Sequence, residues 1–150
     1  MKKIKLLFVL LSIGILIIPN IAFAAQKWND LGSGWKIRLD PPAPSDGNKW
    51  HVHDESNNGK YKASENVDGT KHDGETLDKL PNDVKKKARN SNDYKKGIRN
   101  QKNTDSAKLS IKSSKLNVKN CLHWAAIFGI LVTYGIAIYF TGGAALIVLA

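Results

Sequence analysis

Two histidines one residue apart, His51 and His53, are the side chains of this sequence best placed to do chemistry. In an extended segment that spacing puts both on one face, opposite Trp50 and Val52. An earlier segment alternates in the same way, with Trp35, Ile37 and Leu39 on one side and Lys36, Arg38 and Asp40 on the other. If the two segments pair as strands, two imidazoles and two cations share a surface. Two histidines so placed can act as acid and base in phosphodiester cleavage, with a cation stabilising the charged intermediate. That chemistry makes His51, His53 and Arg38 the catalytic candidates. Asp54 follows directly, and the same histidines with a carboxylate could instead hold a divalent metal. The neighbouring cations raise the potential where a dication would sit, so no metal and no cofactor is expected. His72-Asp73 lies past the next turn. The plain alternative is an exposed polar face of a two-layer domain.

The elements that must position these residues follow from the pattern. The run Asp40-Pro41-Pro42-Ala43-Pro44-Ser45-Asp46-Gly47 cannot continue a strand and reads as a stiff loop. Asn57-Asn58-Gly59 is a hairpin signal, because Asn and Gly tolerate positive φ. A third strand is expected over residues 60–64, and Asp68-Gly69 marks a further turn. Leu77, Leu80, Val84 and Ala88 then fall at helical spacing, with Pro81 suited to a first turn. The expected fold class is α+β: a small three-stranded antiparallel sheet with one helix, its core made of Trp35, Ile37, Leu39, Trp50, Val52, Leu80 and Val84.

Both ends of the 150-residue chain are set apart by composition. Lys2, Lys3 and Lys5 precede an uncharged apolar run and the small-residue site Ala22-Phe23-Ala24. This is the order of a secretory signal peptide. Residues 122–150 carry no charge, and as one helix they would exceed the ~30 Å hydrocarbon core. The expected organisation is a signal peptide at 1–24, a small α+β extracytoplasmic domain at 25–90, a basic flexible linker at 91–121 and a transmembrane helix at 122–150. Along that tail Ala125, Gly129, Thr133, Ala137, Thr141 and Ala145 recur every fourth residue, a small-residue stripe that would let two helices associate into a homodimer. The single cysteine, Cys121, excludes an intramolecular disulfide.

The net charge of +10 is unevenly spread. Residues 26–83 hold eight cations against eleven acids, whereas residues 84–120 hold twelve cations against Asp93 and Asp105. Lys85, Lys86, Lys87, Arg89, Lys95, Lys96 and Arg99 are therefore the candidate anion-binding residues. The partners this charge suits are an anionic cell-wall polymer, anionic lipid or nucleic acid, besides the bilayer expected to hold the tail.

The run Arg38-Leu39-Asp40-Pro41-Pro42, with His51-Val52-His53-Asp54, Asn66-Val67-Asp68-Gly69 and Pro81, resembles a small module found at the C-termini of secreted polymorphic toxins of Gram-positive bacteria. The likeness covers residues 35–81. It implies that Arg38, Asp40, His51, His53 and Asp68 form the site, and it implies toxin activity of unsettled chemistry. Ala43 stands where those modules often carry a histidine, and here a basic stretch and an apolar tail follow the module. The leading expectation is an exported, membrane-anchored small protein with an extracytoplasmic binding domain of toxin-module type. The alternatives are a nuclease-like enzyme using His51 and His53, and a bacteriocin-like membrane-active protein. No nucleotide-binding glycine loop, serine-hydrolase elbow or zinc-protease motif is present.

Overall fold

Four antiparallel strands in sequential order form the sheet that carries the histidines: β1 (Asn29–Gly32), β2 (Trp35–Asp40), β3 (His51–Ser56) and β4 (Lys62–Asn66). The structure is a computed structural model, and it describes residues 27–42, 49–117, 119–135, 139–141 and 144–146. After the sheet come a 3-10 turn at Leu77–Lys79, helices α1 (Asn82–Asn90) and α2 (Asn92–Ser113), a second 3-10 turn at Cys121–His123, helix α3 (Trp124–Thr133), and a small hairpin of β5 (Tyr139–Thr141) with β6 (Ala144–Leu146). The α+β character matches the expectation. The number of elements does not.

β1 is the strand that the alternation did not announce. Its four residues, Asn-Asp-Leu-Gly, have no period of their own. They are folded back on β2 by Ser33 and Gly34, both at positive φ (57° and 79°), the conformation of a tight hairpin turn whose twist suits the flanking strands. β4 begins two residues later than expected. Lys60 and Tyr61 are used to close the turn: the Tyr61 N–H donates to Ser56 Oγ at 3.0 Å, and the Ser56 N–H to the Tyr61 carbonyl at 3.0 Å.

The main core lies between the sheet and the helices. It contains Ile37, Val52, Ala63, Val67, Leu77, Leu80, Val84, Ala88 and Tyr94, with Leu31, Trp35, Leu39 and Trp50 partly buried against it. The spacing of Leu77, Leu80, Val84 and Ala88 is thus a true core face. It is split between the 3-10 turn and α1, with Pro81 immediately before the first helical residue.

The stretch expected to be a flexible basic linker is instead mostly the 22-residue helix α2. Ser91 ends α1 in an extended conformation and caps α2, its Oγ accepting from the Tyr94 N–H at 3.1 Å. The buried stripe of α2 is Tyr94, Gly97, Thr104, Ala107 and Ile111. Small and hydroxyl side chains on that stripe hide the helical period from any reading based on large apolar residues. Gly97 lets the helix press on the sheet: a Cβ built there would lie 2.6 Å from Val67 Cγ1 and 2.8 Å from Leu39 Cδ1. Gln101 accepts from the Trp50 N–H at 2.9 Å, and Thr104 Oγ1 from Trp50 Nε1 at 3.4 Å. These bonds tie α2 to the residue directly before β3.

The expected transmembrane helix over 122–150 is overturned. Among the described residues its α-helical part is the ten residues of α3, and no helix is long and apolar enough to cross a membrane. Gly135, at φ 65°, follows the helix end, and its N–H donates to the Val132 carbonyl at 3.0 Å. One face of α3 finds its partner within the chain. Ile127 and Leu131 pack on Ala107 and Ile111 of α2, forming a second cluster with Leu116, Ile130 and Tyr134. The stripe proposed for self-association therefore does not lie on one helix. Ala125, Gly129 and Thr133 are exposed on α3, Thr141 and Ala145 belong to β5 and β6, and Ala137 lies outside the described residues. The expected signal peptide, residues 1–24, also lies outside them, as does most of the proline-rich loop.

Candidate metal centre

The polar face of the sheet is assembled by strand register. Arg38 lies opposite His53, which lies opposite Ser64; Asp40 lies opposite His51, which lies opposite Asn66. Partners directly across an antiparallel ladder point to the same face, so Arg38, Asp40, His51 and His53 converge as the alternation implied. Lys36 joins the same face opposite Glu55.

A third histidine completes the group. The chain leaves β4, turns at Asp68-Gly69 and returns along its edge, with an isolated bridge pairing Glu65 and Lys71. A second tight turn, with Asp73 at φ 50° and Gly74 at φ 78°, closes a bridge between His72 and Glu75. Ser64 Oγ donates to the His72 carbonyl at 3.0 Å and holds this loop over the sheet. The His72 ring stacks on His51, with centroids 3.7 Å apart and an interplanar angle of 14°. His53 stands edge-on to both, at 5.1 and 5.3 Å. One ring nitrogen from each of the three lies within 4.8 Å of the others. His51 and His72 are buried, each 3% exposed, and the His53 side chain is 27% exposed.

The surroundings set the state of these rings. His51 Nδ1 lies 3.2 Å from the Lys49 carbonyl. A carbonyl can only accept, so Nδ1 is the donor there, and Nε2 is the nitrogen turned toward Asp40 Oδ2, 3.9 Å away. His72 Nε2 lies 3.3 Å from Asp73 Oδ2. Burial lowers the pKa of His53; Asp40 opposes this, while His51, Arg38 and His72 add to it. The balance favours the neutral ring, the form that binds metals.

The cations on this face are paired. Arg38 donates from Nε to Asp40 Oδ1 at 2.7 Å and from Nη2 to Asp40 Oδ2 at 2.6 Å. Its guanidinium carbon sits 4.9 Å from the centroid of the Trp28 ring. Lys36 Nζ is also 4.9 Å from that centroid and 3.7 Å from Glu55 Oε1. Asp40 Oδ2 further approaches His53 Nε2 at 3.4 Å and His51 Nε2 at 3.9 Å. Arg38 is thus matched by Asp40, whereas Lys36 and Lys62 share Glu55, 3.7 and 3.6 Å away, so the electrostatic objection to a dication is weaker than the sequence alone implies.

The other residues singled out from sequence are dispersed. Asp68 belongs to the turn after β4, where it accepts from the Thr70 N–H at 3.0 Å and from Lys49 Nζ at 2.6 Å, outside the histidine cluster. Asp54 points to the core face with Ile37 and Ala63, so it is no ligand for the histidines. Of the proposed anion-binding residues, Arg89 faces inward. It donates from Nε and Nη2 to the fully buried Glu65 at 3.0 and 2.6 Å, and from Nη2 to Asp78 at 3.3 Å. Tyr94 Oη donates to the same Glu65 at 2.8 Å. Lys85 pairs with Asp78 at 3.3 Å, and Lys87 donates to Ser33 Oγ at 3.0 Å. Lys86, Lys95, Lys96 and Arg99 are exposed on α1 and α2. His72 is the site residue that alternation along β2 and β3 could not supply. Its only local signal is the turn sequence His72-Asp73-Gly74.

The fold and this site together define a small α+β domain with three convergent histidines on the sheet face opposite its core. The chain belongs to a family of unknown function, DUF6367, whose model matches residues 1–120. No curated protein and no solved structure matches the chain significantly.

Proposed function

We propose that this is a metal-binding domain that holds one divalent transition ion of zinc type through His51, His53 and His72. The observation that carries the reading is the convergence of three ring nitrogens within 4.8 Å. Zinc–nitrogen bonds of about 2.0–2.1 Å place ligand nitrogens roughly 3.4 Å apart in a tetrahedral site. Side-chain rotation supplies the difference, and the stacked pair must open so that both rings face one ion. His72 sits on a loop whose backbone is held by Ser64 and two bridges, so the adjustment falls to rotation of its side chain. The outer nitrogens of His51 and His72 meet a carbonyl and a carboxylate, the partners that orient metal-bound imidazoles. Acid–base catalysis by His51 and His53 suits the geometry less well, because His51 is almost wholly covered.

The test is metal content. Full-length chain, kept in solution with mild detergent and dialysed against zinc, should retain about one ion per chain by mass spectrometry of the metal. His72→Ala removes a direct ligand and should weaken binding by more than the roughly 10–100-fold that loss of an outer-shell partner costs. Equal retention after replacing all three histidines would sink the reading. Cleavage of RNA or DNA that survives a chelator but is lost with His51→Ala and His53→Ala would favour the acid–base alternative. Export of the domain is a separate proposal, resting on residues 1–24. The intact mass of protein recovered outside the cell checks it, since cleavage after Ala24 leaves Ala25 at the N-terminus.

A further inference from the structure

We infer that the metal centre is also an anion site, taking a phosphate group between the ion and Arg38. The inference rests on the metal reading above and extends it to a ligand class. Charge is the first reason. An imidazole binds a metal in its neutral form, so three histidine ligands leave both charges of a bound dication uncompensated. Asp40, the carboxylate nearest His53, already has both oxygens engaged by Arg38, and Asp73 faces the outer nitrogen of His72. Three protein ligands also leave a fourth position for an outside group. A half-buried centre of net positive charge favours an anion there over water.

The second reason is geometry. His53 is the exposed ring of the three, so the cluster meets solvent on its side. The residue directly across from His53 is Arg38. Asp40 uses Nε and Nη2 of that guanidinium, which leaves Nη1 uncommitted to it. Trp28 packs against the same guanidinium, and Lys36 lies against the same ring. An arginine held on two sides is a pre-oriented donor, and its flat fork matches the oxygens of phosphate. A phosphate group carries about 1.5 to 2 negative charges at neutral pH, enough to offset most of the charge of the ion. Its several oxygens allow one to bind the metal while another accepts from Arg38.

Cobalt(II) reports on both steps, because its visible spectrum changes with its ligands. Full-length chain would be loaded with cobalt and titrated with inorganic phosphate, then with glycerol 3-phosphate, over constant chloride. A spectral change that saturates with phosphate supports the inference. A matching response to glycerol 3-phosphate identifies the ligand as a phosphorylated molecule, and a response to inorganic phosphate alone identifies the free ion. Arg38→Gln and Lys36→Gln would be measured at the cobalt loading each reaches, and Arg38→Gln should weaken phosphate binding about tenfold. Cobalt bound without any phosphate response in the wild-type chain overturns this inference and leaves the metal reading standing. Phosphate bound equally well by the metal-free chain overturns it too. Failure to load cobalt or zinc removes both.

Discussion

Asp54 shows how far a single side chain can depart from what its type suggests. It is 1% exposed, and neither carboxylate oxygen has a hydrogen-bond partner. Burial raises its pKa from 3.8 to about 7, with Glu65 and Asp93 adding to the effect. A raised carboxylate pKa means that the folded chain holds a proton which the unfolded chain releases. The stabilisation is therefore complete below about pH 4 and is lost as pH rises towards 7. At about 1.4 kcal/mol per pKa unit, the loss is on the order of 4 kcal/mol. Asp54→Asn should remove this slope and raise stability at neutral pH. Urea melts of both proteins at several pH values between 4 and 8 check this, and the difference between them isolates Asp54 from the opposite-signed contribution of His53. Parallel stability curves would show that Asp54 is ionised in the folded state. At this scale the sequence was partly legible. Period-two spacing placed Arg38, His51 and His53 on one face, and the same rule places Asp54 on the other. It said nothing of His72, because the two turns that return it to the sheet are set by the chain's path after β4. Arg89 looked like one more member of a basic run, and only its contact with Glu65 separates it from Lys86 or Lys96.

At the scale of elements, α2 carries the main lesson. Its length came from a cap at Ser91 and a stripe of small residues, both of which composition alone disguises. Gly97 is the test of that packing. Replacing it by Ala would gain up to about 1 kcal/mol of helix propensity. The new methyl would meet Val67 and Leu39 at 2.6 and 2.8 Å, and overpacking of this kind costs about 1–3 kcal/mol. The clash should win, so Gly97→Ala should lower the thermal midpoint by several degrees. A midpoint that rises would mean that helix and sheet separate easily. β1 was hidden for the opposite reason. Its turn, Gly32-Ser33-Gly34, is written plainly in the sequence, but its four strand residues lack the alternation that would have drawn attention to it. α3 was misread because an uncharged run has the same composition whether it faces lipid or another helix. The partner that settles the matter is the far end of α2.

Among the described residues, two apolar centres are joined by one long helix. The first half of α2 lies against the sheet that carries the histidines, and its last two turns meet α3 through Ala107, Ile111, Ile127 and Leu131. The family match covers residues 1–120, so it takes in the sheet, α1 and all of α2 and stops before α3. If the centres are energetically separable, ending the chain after Asn120 should uncover Ala107 and Ile111 and fray the end of α2. The bonds from Trp50 to Gln101 and Thr104, and the close approach at Gly97, would still hold its first half to the sheet. Amide hydrogen exchange should then speed up over residues 107–113 and stay slow over residues 51–66, with zinc still bound at about one ion per chain. Fast exchange across both regions, with the metal lost, would mean that α3 supports the sheet through the full length of α2 and that the metal centre depends on the tail. Local contacts favour the first outcome, because every side chain assigned to the metal is positioned by β2, β3, β4 and the loop that returns along β4.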